Sequence, residues 1–290
     1  MKKLLSLLKK HPHIAVIAAA AVITLVVNFL GGPFGFGIPF WCYFLFVAVY
    51  GIVIYLVKLP DSAGSTAHIL SQITKKYDPF DKLFAWAYDH GCKVPAVLAG
   101  YAHAQLVRSN FDRALDVHER FMAIPAEDVP PMILKYGRQN YALSLWKCGR
   151  PREGMEVMEK MHEDYEVFSN DFFVTLGYLC IEAREWDKAR EANELSLKEE
   201  GSHAQAYCNF GQIAYYNGDR DGARANFCHA LELDPAGVTA KYFLGTMAEE
   251  DGDTEAAEIF FRQAAKTELT GLHVITPEMM REKKEKYGLE

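Results

Sequence analysis

Two long apolar runs occupy the N-terminal part of the chain. Between Ile14 and Val57 there is no Asp, Glu, Lys or Arg. The runs 14–30 and 38–57 each have about the length that a helix needs to cross a bilayer. Between them, GGPFGFG is too rich in glycine and proline to remain helical. The pattern predicts a basic N-terminus over 1–12 and a transmembrane helical hairpin over 13–59, with residues 14–57 in the lipid bilayer.

Lysines on either side of these runs set the predicted orientation. Four lysines precede the first run, Lys58 follows the second, and the connecting turn has none. Positive residues stay on the cytoplasmic side of a membrane. We therefore expect an integral membrane protein of a bacterial plasma membrane, with both termini and the remaining chain cytoplasmic. A cleaved secretory signal peptide is the alternative, although a second and longer apolar run follows almost at once.

Beyond residue 60 the sequence changes to helical patterns that repeat. Residues 60–94 open with PDSAGS, which favours a linker, and continue as an adaptor or a degenerate helical pair. From residue 95 onward the same residue types recur 34 positions apart, which indicates stacked helical hairpins. The recurring positions include Gly177, Gly211 and Gly245; Ala189, Ala223 and Ala257; Phe227 and Phe261; and Ala230 and Ala264. We predict about five repeats over 95–269 and a C-terminal capping helix over 270–290.

The clearest repeat covers residues 204–235. It resembles the tetratricopeptide repeat, whose pattern is W-x2-L-G-x2-Y, then A-x3-F, then P. The matching positions are Tyr207, Phe210, Gly211, Ala223, Phe227, Ala230 and Pro235. The resemblance implies an all-α fold, in which a transmembrane helical hairpin is followed by an α-solenoid of tetratricopeptide-type repeats. It also implies that the first helix of each repeat lines a concave groove.

The resemblance places certain positions of each first helix in that groove. Our candidate peptide-groove residues are Asn140, Tyr178, Asn209, Gln212 and Tyr242. The other positions with the same spacing are Tyr136, Gln139, Leu143, Asp171, Val174, Thr175, Gln205, Cys208, Thr239, Phe243 and Thr246. Amide side chains can hydrogen-bond a ligand's backbone, and tyrosines offer stiff contact area. No Lys or Arg occupies the basic groove positions, so we expect no clamp for a partner's C-terminal carboxylate. The alternative is that these residues pack between repeats.

Charge and cysteine content narrow the choice of function. Residues 1–59 carry five lysines and no acid while the whole chain has a net charge of −7, so the rest carries about −12. Such an acidic body argues against nucleic acid as a partner. Six cysteines without metal-ligand spacing indicate reduced structural thiols and no metal site.

No catalytic motif is present. The sequence has no HExxH, GxSxG or phosphate loop, so we expect no enzyme activity, no catalytic residue, no cofactor and no small-molecule substrate. The leading hypothesis is a membrane-anchored scaffold or adaptor that binds protein or peptide partners in its groove at the cytoplasmic face. The alternative is an accessory subunit of a membrane transport or envelope-assembly complex, in which the transmembrane hairpin also makes specific contacts.

Overall fold

The computed structural model describes residues 40–74, 76, 78–165, 170–198 and 203–289. Every regular element among them is a helix, so the all-α prediction is confirmed for this part of the chain. The chain divides into two units, Met1–Ala63 and Gly64–Glu290. The α-helices are α1 (Phe40–Thr74), α2 (Asp81–Asp89), α3 (Pro95–Val107), α4 (Phe111–Met122), α5 (Pro131–Lys147), α6 (Pro151–Asp164), α7 (Asn170–Glu182), α8 (Trp186–Lys198), α9 (Ala204–Tyr216), α10 (Arg220–Leu233), α11 (Val238–Glu250), α12 (Thr254–Ala264) and α13 (Pro277–Tyr287).

The predicted membrane hairpin falls largely outside the described residues. The first span, 14–30, and the turn, 31–37, lie wholly outside them, whereas residues 40–57 of the second span form the first part of α1. Among the helices that the structure describes, none has the length and apolar character required to traverse a membrane. The hairpin therefore stays a prediction.

Helix α1 differs from the linker expected at 60–65, because it continues through Pro60. A proline inside a helix removes a hydrogen bond and costs about 3 kcal/mol. Close packing just beyond it favours the helix. A Cβ on Gly64 would lie 3.1 Å from the Cys92 sulfur and 2.8 Å from a Val97 methyl carbon. Ala67, one turn later, is fully buried. These contacts form only in the folded chain, so local turn signals could not reveal them.

Helices α3 to α12 form five consecutive antiparallel hairpins, which we number 1 to 5. In each hairpin the two helices pack against each other, and the first helices of neighbouring hairpins also contact one another. The first helices thus form one layer of the repeat stack. Because each hairpin leaves an apolar face for the next one to cover, stability comes from hairpins and their nearest neighbours.

Small residues allow the helices of a hairpin to approach closely. A Cβ on Gly211 would lie 2.6 Å from the ring of Phe227, and the equivalent distance from Gly245 to the ring of Phe261 is 3.0 Å. Both phenylalanines are fully buried. In hairpin 3 the corresponding glycine, Gly177, faces the amide of Asn193 instead of a ring. The 34-residue spacing therefore marks the positions where helices cross.

The turns of hairpins 4 and 5 depend on a Gly-Asp pair. Gly218 and Gly252 both have a φ of 80°, a conformation that favours glycine. The aspartates that follow cap the second helices. Asp219 accepts a hydrogen bond from the Gly222 backbone N–H, and Asp253 accepts one from the Ala256 N–H, each at 2.9 Å. Satisfying these first-turn donors stabilises each helix by about 1 kcal/mol.

Helix α13 packs against hairpin 5. The Tyr287 ring lies 5.3 Å from the Phe261 ring, and Met280 is 4% exposed. Glu249 accepts hydrogen bonds from Lys283, Lys286 and Tyr287. Burial alone would raise the pKa of Glu249, but these three hydrogen bonds outweigh it and lower the pKa to about 2. The carboxylate therefore stays ionised and holds α13 in place down to strongly acidic pH.

Candidate functional site

A cavity of about 750 Å³ lies against the layer of first helices. Helices α5, α7, α9 and α11 contribute to its wall, and so does the segment between α12 and α13. We call this space the groove cavity. Its lining includes Leu143, Trp146, Val174, Thr175, Tyr178, His203, Gln205, Cys208, Asp234, Val238, Thr239, Leu272, His273 and Val274. Its volume is within the range typical of ligand-binding pockets.

Of the five candidate peptide-groove residues, Tyr178 alone lines the groove cavity. It is 6% exposed, and its hydroxyl donates a hydrogen bond of 2.6 Å to Glu182. The Trp146 indole N–H donates to the other oxygen of the same carboxylate at 3.1 Å. Burial and the Glu182 charge raise the pKa of Tyr178, so its hydroxyl keeps its proton. Two large rings are thereby fixed on one carboxylate, which pre-organises this wall for contact.

Asn209 and Asn140 face other parts of the repeat stack. Asn209 is fully buried, and its amide donates to the Val174 carbonyl at 3.0 Å and to the Asn193 side chain at 2.8 Å. Asn140 is 5% exposed, and its side-chain oxygen lies 3.0 Å from Nδ1 of His103. Both amides thus join neighbouring hairpins. This arrangement agrees with the packing alternative for these two positions.

Gln212 and Tyr242 are also outside the lining of the groove cavity. Gln212 is 1% exposed, and its amide donates to the Cys208 carbonyl at 3.5 Å. Tyr242 is 8% exposed, and its ring lies 5.5 Å from that of Phe261. Their role in binding stays a prediction. Of the other predicted groove positions, six line the cavity, namely Leu143, Val174, Thr175, Gln205, Cys208 and Thr239. Five do not, namely Tyr136, Gln139, Asp171, Phe243 and Thr246.

The far wall of the groove cavity was not predicted from the sequence. Leu272, His273 and Val274 come from the irregular segment that follows hairpin 5. This segment lay within the range we expected to form only a capping helix. Its one sequence signal was Gly271, followed by the apolar residues Leu272, Val274 and Ile275.

Burial governs the chemistry of the thiol in the cavity wall. Cys208 is 3% exposed, and burial raises the pKa of its thiol to about 12, so it stays a protonated and poor nucleophile. Among the described cysteines, Cys148, Cys180, Cys208 and Cys228 are free thiols. Within the described ranges, no group of His, Cys, Asp or Glu is arranged to hold a metal ion.

Residues 208–269 match the family model of the tetratricopeptide repeat. No functionally curated protein is similar enough to this chain to count as a match. Among solved structures, PilW, a widely conserved type IV pilus biogenesis factor, has a TM-score of 0.54 at 15% identity, over 71% of this chain and 92% of its own. Human IFIT1, a dimer with PPP-AAAA, has a TM-score of 0.53 at 18% identity, over 73% of this chain and 50% of its own.

A third structure, the Cut9–Hcn1 hetero-tetramer of APC/C, has a TM-score of 0.51 at 11% identity, over 80% of this chain and 48% of the other. At such identities, likeness shows the fold alone. The matched segment includes most of hairpin 4 and all of hairpin 5, where the glycine and phenylalanine crossings are regular. The family match therefore concerns these two hairpins, and the structural likeness shows the helical fold of the chain.

Proposed function

We propose that this chain is a membrane-anchored scaffold that binds a protein or peptide partner in the groove cavity at the cytoplasmic face. The groove cavity carries the proposal, because first helices from four hairpins present side chains to one space. Tetratricopeptide-type stacks offer extended concave surfaces of this kind for binding. The proposed role of the groove cavity is to bind the partner, not to modify it chemically.

The lining favours an extended peptide as the ligand. Thr175, Gln205 and Thr239 provide neutral hydrogen-bonding groups, and apolar side chains such as Val174 and Val238 lie between them. Neutral amides and hydroxyls can pair with backbone N–H and C=O groups of any peptide. Apolar side chains of the peptide then supply the affinity. This composition supports a partner recognised through backbone and shape rather than through a terminal carboxylate.

Features of the first unit support the membrane anchor. The stretch from Ile14 to Val57 contains no charged residue, and α1 begins within it. Leu45, Val49 and Ile52 are each more than half exposed in this stretch, with the spacing of one helical face. An apolar face of this kind is stable in lipid and costly in water. The lysines on either side of the stretch support a cytoplasmic position for the repeat unit.

A site-specific cross-linker tests partner binding. We expect a photoreactive residue at Gln205 of the full chain to capture a defined protein or peptide in cells. The control position is Glu194, which is exposed on the second helix of hairpin 3. Equal capture from both positions, or capture from Glu194 alone, would contradict binding in the groove cavity.

Thiol labelling tests sidedness. Cys228 is exposed, so a membrane-impermeant maleimide should modify it only after the cells are permeabilised. Mass spectrometry of the Cys228 peptide measures the extent, and the Cys228→Ser chain gives the background. Full labelling in intact cells would place the repeat unit outside. Recovery of the chain in the supernatant after membranes have been sedimented would contradict the proposed membrane anchor.

A further inference from the structure

The segment between α12 and α13 crosses the face made by the first helices. We call residues 266–276 the strap. It begins after hairpin 5, reaches hairpin 1, and returns to α13, which packs on hairpin 5. At its far point, the Gly271 backbone N–H donates a hydrogen bond of 2.9 Å to the Val107 carbonyl at the end of α3. The strap thereby joins the two ends of the repeat stack.

Only glycine fits at the far point of the strap. A Cβ on Gly271 would lie 1.9 Å from the Leu106 carbonyl oxygen and 3.0 Å from the Ser109 backbone nitrogen. Both are backbone atoms, so neither can rotate away. The backbone of the strap therefore lies directly against the backbone of hairpin 1, and any side chain at this position would force the two apart.

Lys147 holds the middle of the strap. Its ammonium donates a hydrogen bond of 2.6 Å to the His273 carbonyl and lies 3.7 Å from the centre of the Trp146 ring. Burial lowers the pKa of Lys147 to about 8, although the Glu182 carboxylate acts in the opposite direction. Lys147 is thus partly buried where it contacts one backbone carbonyl of the strap.

The strap side chains complete the resemblance to a bound peptide. Leu272 and Val274 line the groove cavity, and Ile275 is fully buried. Backbone groups are held by one carbonyl and one ammonium of the repeat stack, while apolar side chains enter the groove. An extended ligand in a peptide-binding groove is held in this manner, with backbone pairing for affinity and pockets for specificity.

We propose that the strap is a built-in ligand of the groove, which binds extended peptides with a glycine followed by apolar residues. The strap covers this site until a partner segment of the same type displaces it. The inference deepens the proposed function, because it names the class of peptide and the contacts that select it. Those contacts are the Val107 carbonyl, Lys147 and the apolar lining of the groove cavity.

The hydrogen bonds of the strap suit a segment that can leave. Thr270 and His273 pair with each other, through the Thr270 N–H to Nδ1 of His273 at 2.9 Å and the His273 N–H to the Thr270 carbonyl at 3.1 Å. These bonds stay with the strap when it moves. Each bond to the hairpins contributes only about 0.5–1.5 kcal/mol, or somewhat more where a charge takes part. Local opening therefore costs less than unfolding a hairpin.

A synthetic peptide with the strap sequence, KTELTGLHVIT, tests the site. We expect the full chain with Gly271→Ala to have a displaced strap and an unaltered groove, because the new methyl group would meet the backbone of hairpin 1. Fluorescence anisotropy should show the labelled peptide binding this variant at least tenfold more tightly than wild type, where the strap competes at an effective concentration of about millimolar. A peptide with alanine in place of its glycine should not bind. Glu268→Ala, an exposed change in the same strap, should behave as wild type.

Cysteine labelling reports the position of the strap without any peptide. Cys208 lines the groove cavity, whereas Cys180 lies in the core of hairpin 3. Gly271→Ala should raise the labelling rate of Cys208 at least tenfold and leave the labelling rate of Cys180 unchanged. Addition of the peptide should return the labelling rate of Cys208 to its original value. Should Cys180 also become reactive, the strap is opened instead by Val274→Asp, which places a charge on the apolar wall.

Two results would overturn the inference: no peptide binding to either opened chain, or unchanged Cys208 labelling in both.

Lys147→Met in the opened chain should weaken peptide binding several-fold, since it removes the donor to the backbone carbonyl. The outcome is separable from that of the proposed function. If the peptide binds but no partner is captured at position 205, the proposed function is contradicted and the strap site is supported. If a partner is captured but the peptide does not bind, the strap site is contradicted and the proposed function is supported.

Discussion

Phe261→Ala is expected to lower the free energy of unfolding of the C-terminal repeats by about 3–5 kcal/mol. Phe261 is fully buried, and the rings of Tyr242 and Tyr287 lie 5.5 Å and 5.3 Å from its own. The Lys283 ammonium also lies over this ring at 4.9 Å. Truncation leaves a cavity where hairpin 5 meets α13, and the neighbouring rings cannot fill it without losing their own contacts.

Hydrogen exchange resolves this effect along the chain. Because each repeat contacts mainly its neighbours, protection should fall in α11, α12 and α13 and persist in hairpins 2 and 3. Urea denaturation measures the total loss. The matched control is Ile259→Ala, a side chain of the same helix that is 50% exposed and should change stability by less than about 1 kcal/mol. A similar loss for both variants would mean that Phe261 does not carry this packing.

The second large effect is expected at a helix crossing. Gly211→Ala should destabilise the chain by about 1–3 kcal/mol, because the new methyl group would lie 2.6 Å from the Phe227 ring. That ring is itself fixed, since it stacks on Phe243 at 5.1 Å. Gly245→Ala is the matched comparison and should cost less, as its closest ring atom lies 3.0 Å away.

A double-mutant cycle isolates the cause. Phe227→Leu removes the ring atoms that the methyl group meets, so Gly211→Ala should cost at least 1 kcal/mol less in that background than in wild type. Thermal or urea unfolding of the four chains provides the coupling free energy. A coupling near zero would show that the cost at Gly211 arises from the backbone of the helix and not from the crossing.

The repeat architecture could be predicted because its determinants recur. Gly211 and Phe227 are 16 residues apart, as are Gly245 and Phe261, and both pairs meet in the structure. Contacts within one hairpin leave such a signature in sequence spacing. The turn glycines Gly218 and Gly252 are readable for the same reason, since each needs a backbone conformation that other residues avoid.

Contacts between repeats are harder to predict. Asn193 stands where hairpins 4 and 5 have a phenylalanine. Its side-chain oxygen accepts a hydrogen bond from the side-chain amide of Asn209 in the next hairpin, which explains the departure. A groove position and an irregularity of the preceding repeat thus form one buried pair. The pairing cannot be predicted from either residue alone, because it depends on how two hairpins stack. Asn209 therefore resembles a groove amide in sequence although it is fully buried.

The strap left almost no pattern to interpret. An irregular segment has no hydrophobic period, and its anchors are backbone groups that any residue carries, namely the carbonyls of Val107 and His273. The glycine was visible, but its role depends on a backbone atom of a distant hairpin. Sequence periodicity finds elements that repeat, whereas a single crossing of the groove requires the folded chain.

The strap also sets an order of events during synthesis. Its bond between Lys147 and His273 spans 126 residues, far more than the contacts within any hairpin. Non-local contacts form late, since long loops must close first, and a chain leaves the ribosome from its N-terminus at about 5–20 residues per second. Hairpins 1 to 4 therefore emerge with an uncovered groove. For several seconds a nascent chain can be met by a partner before its own C-terminal segment exists to compete.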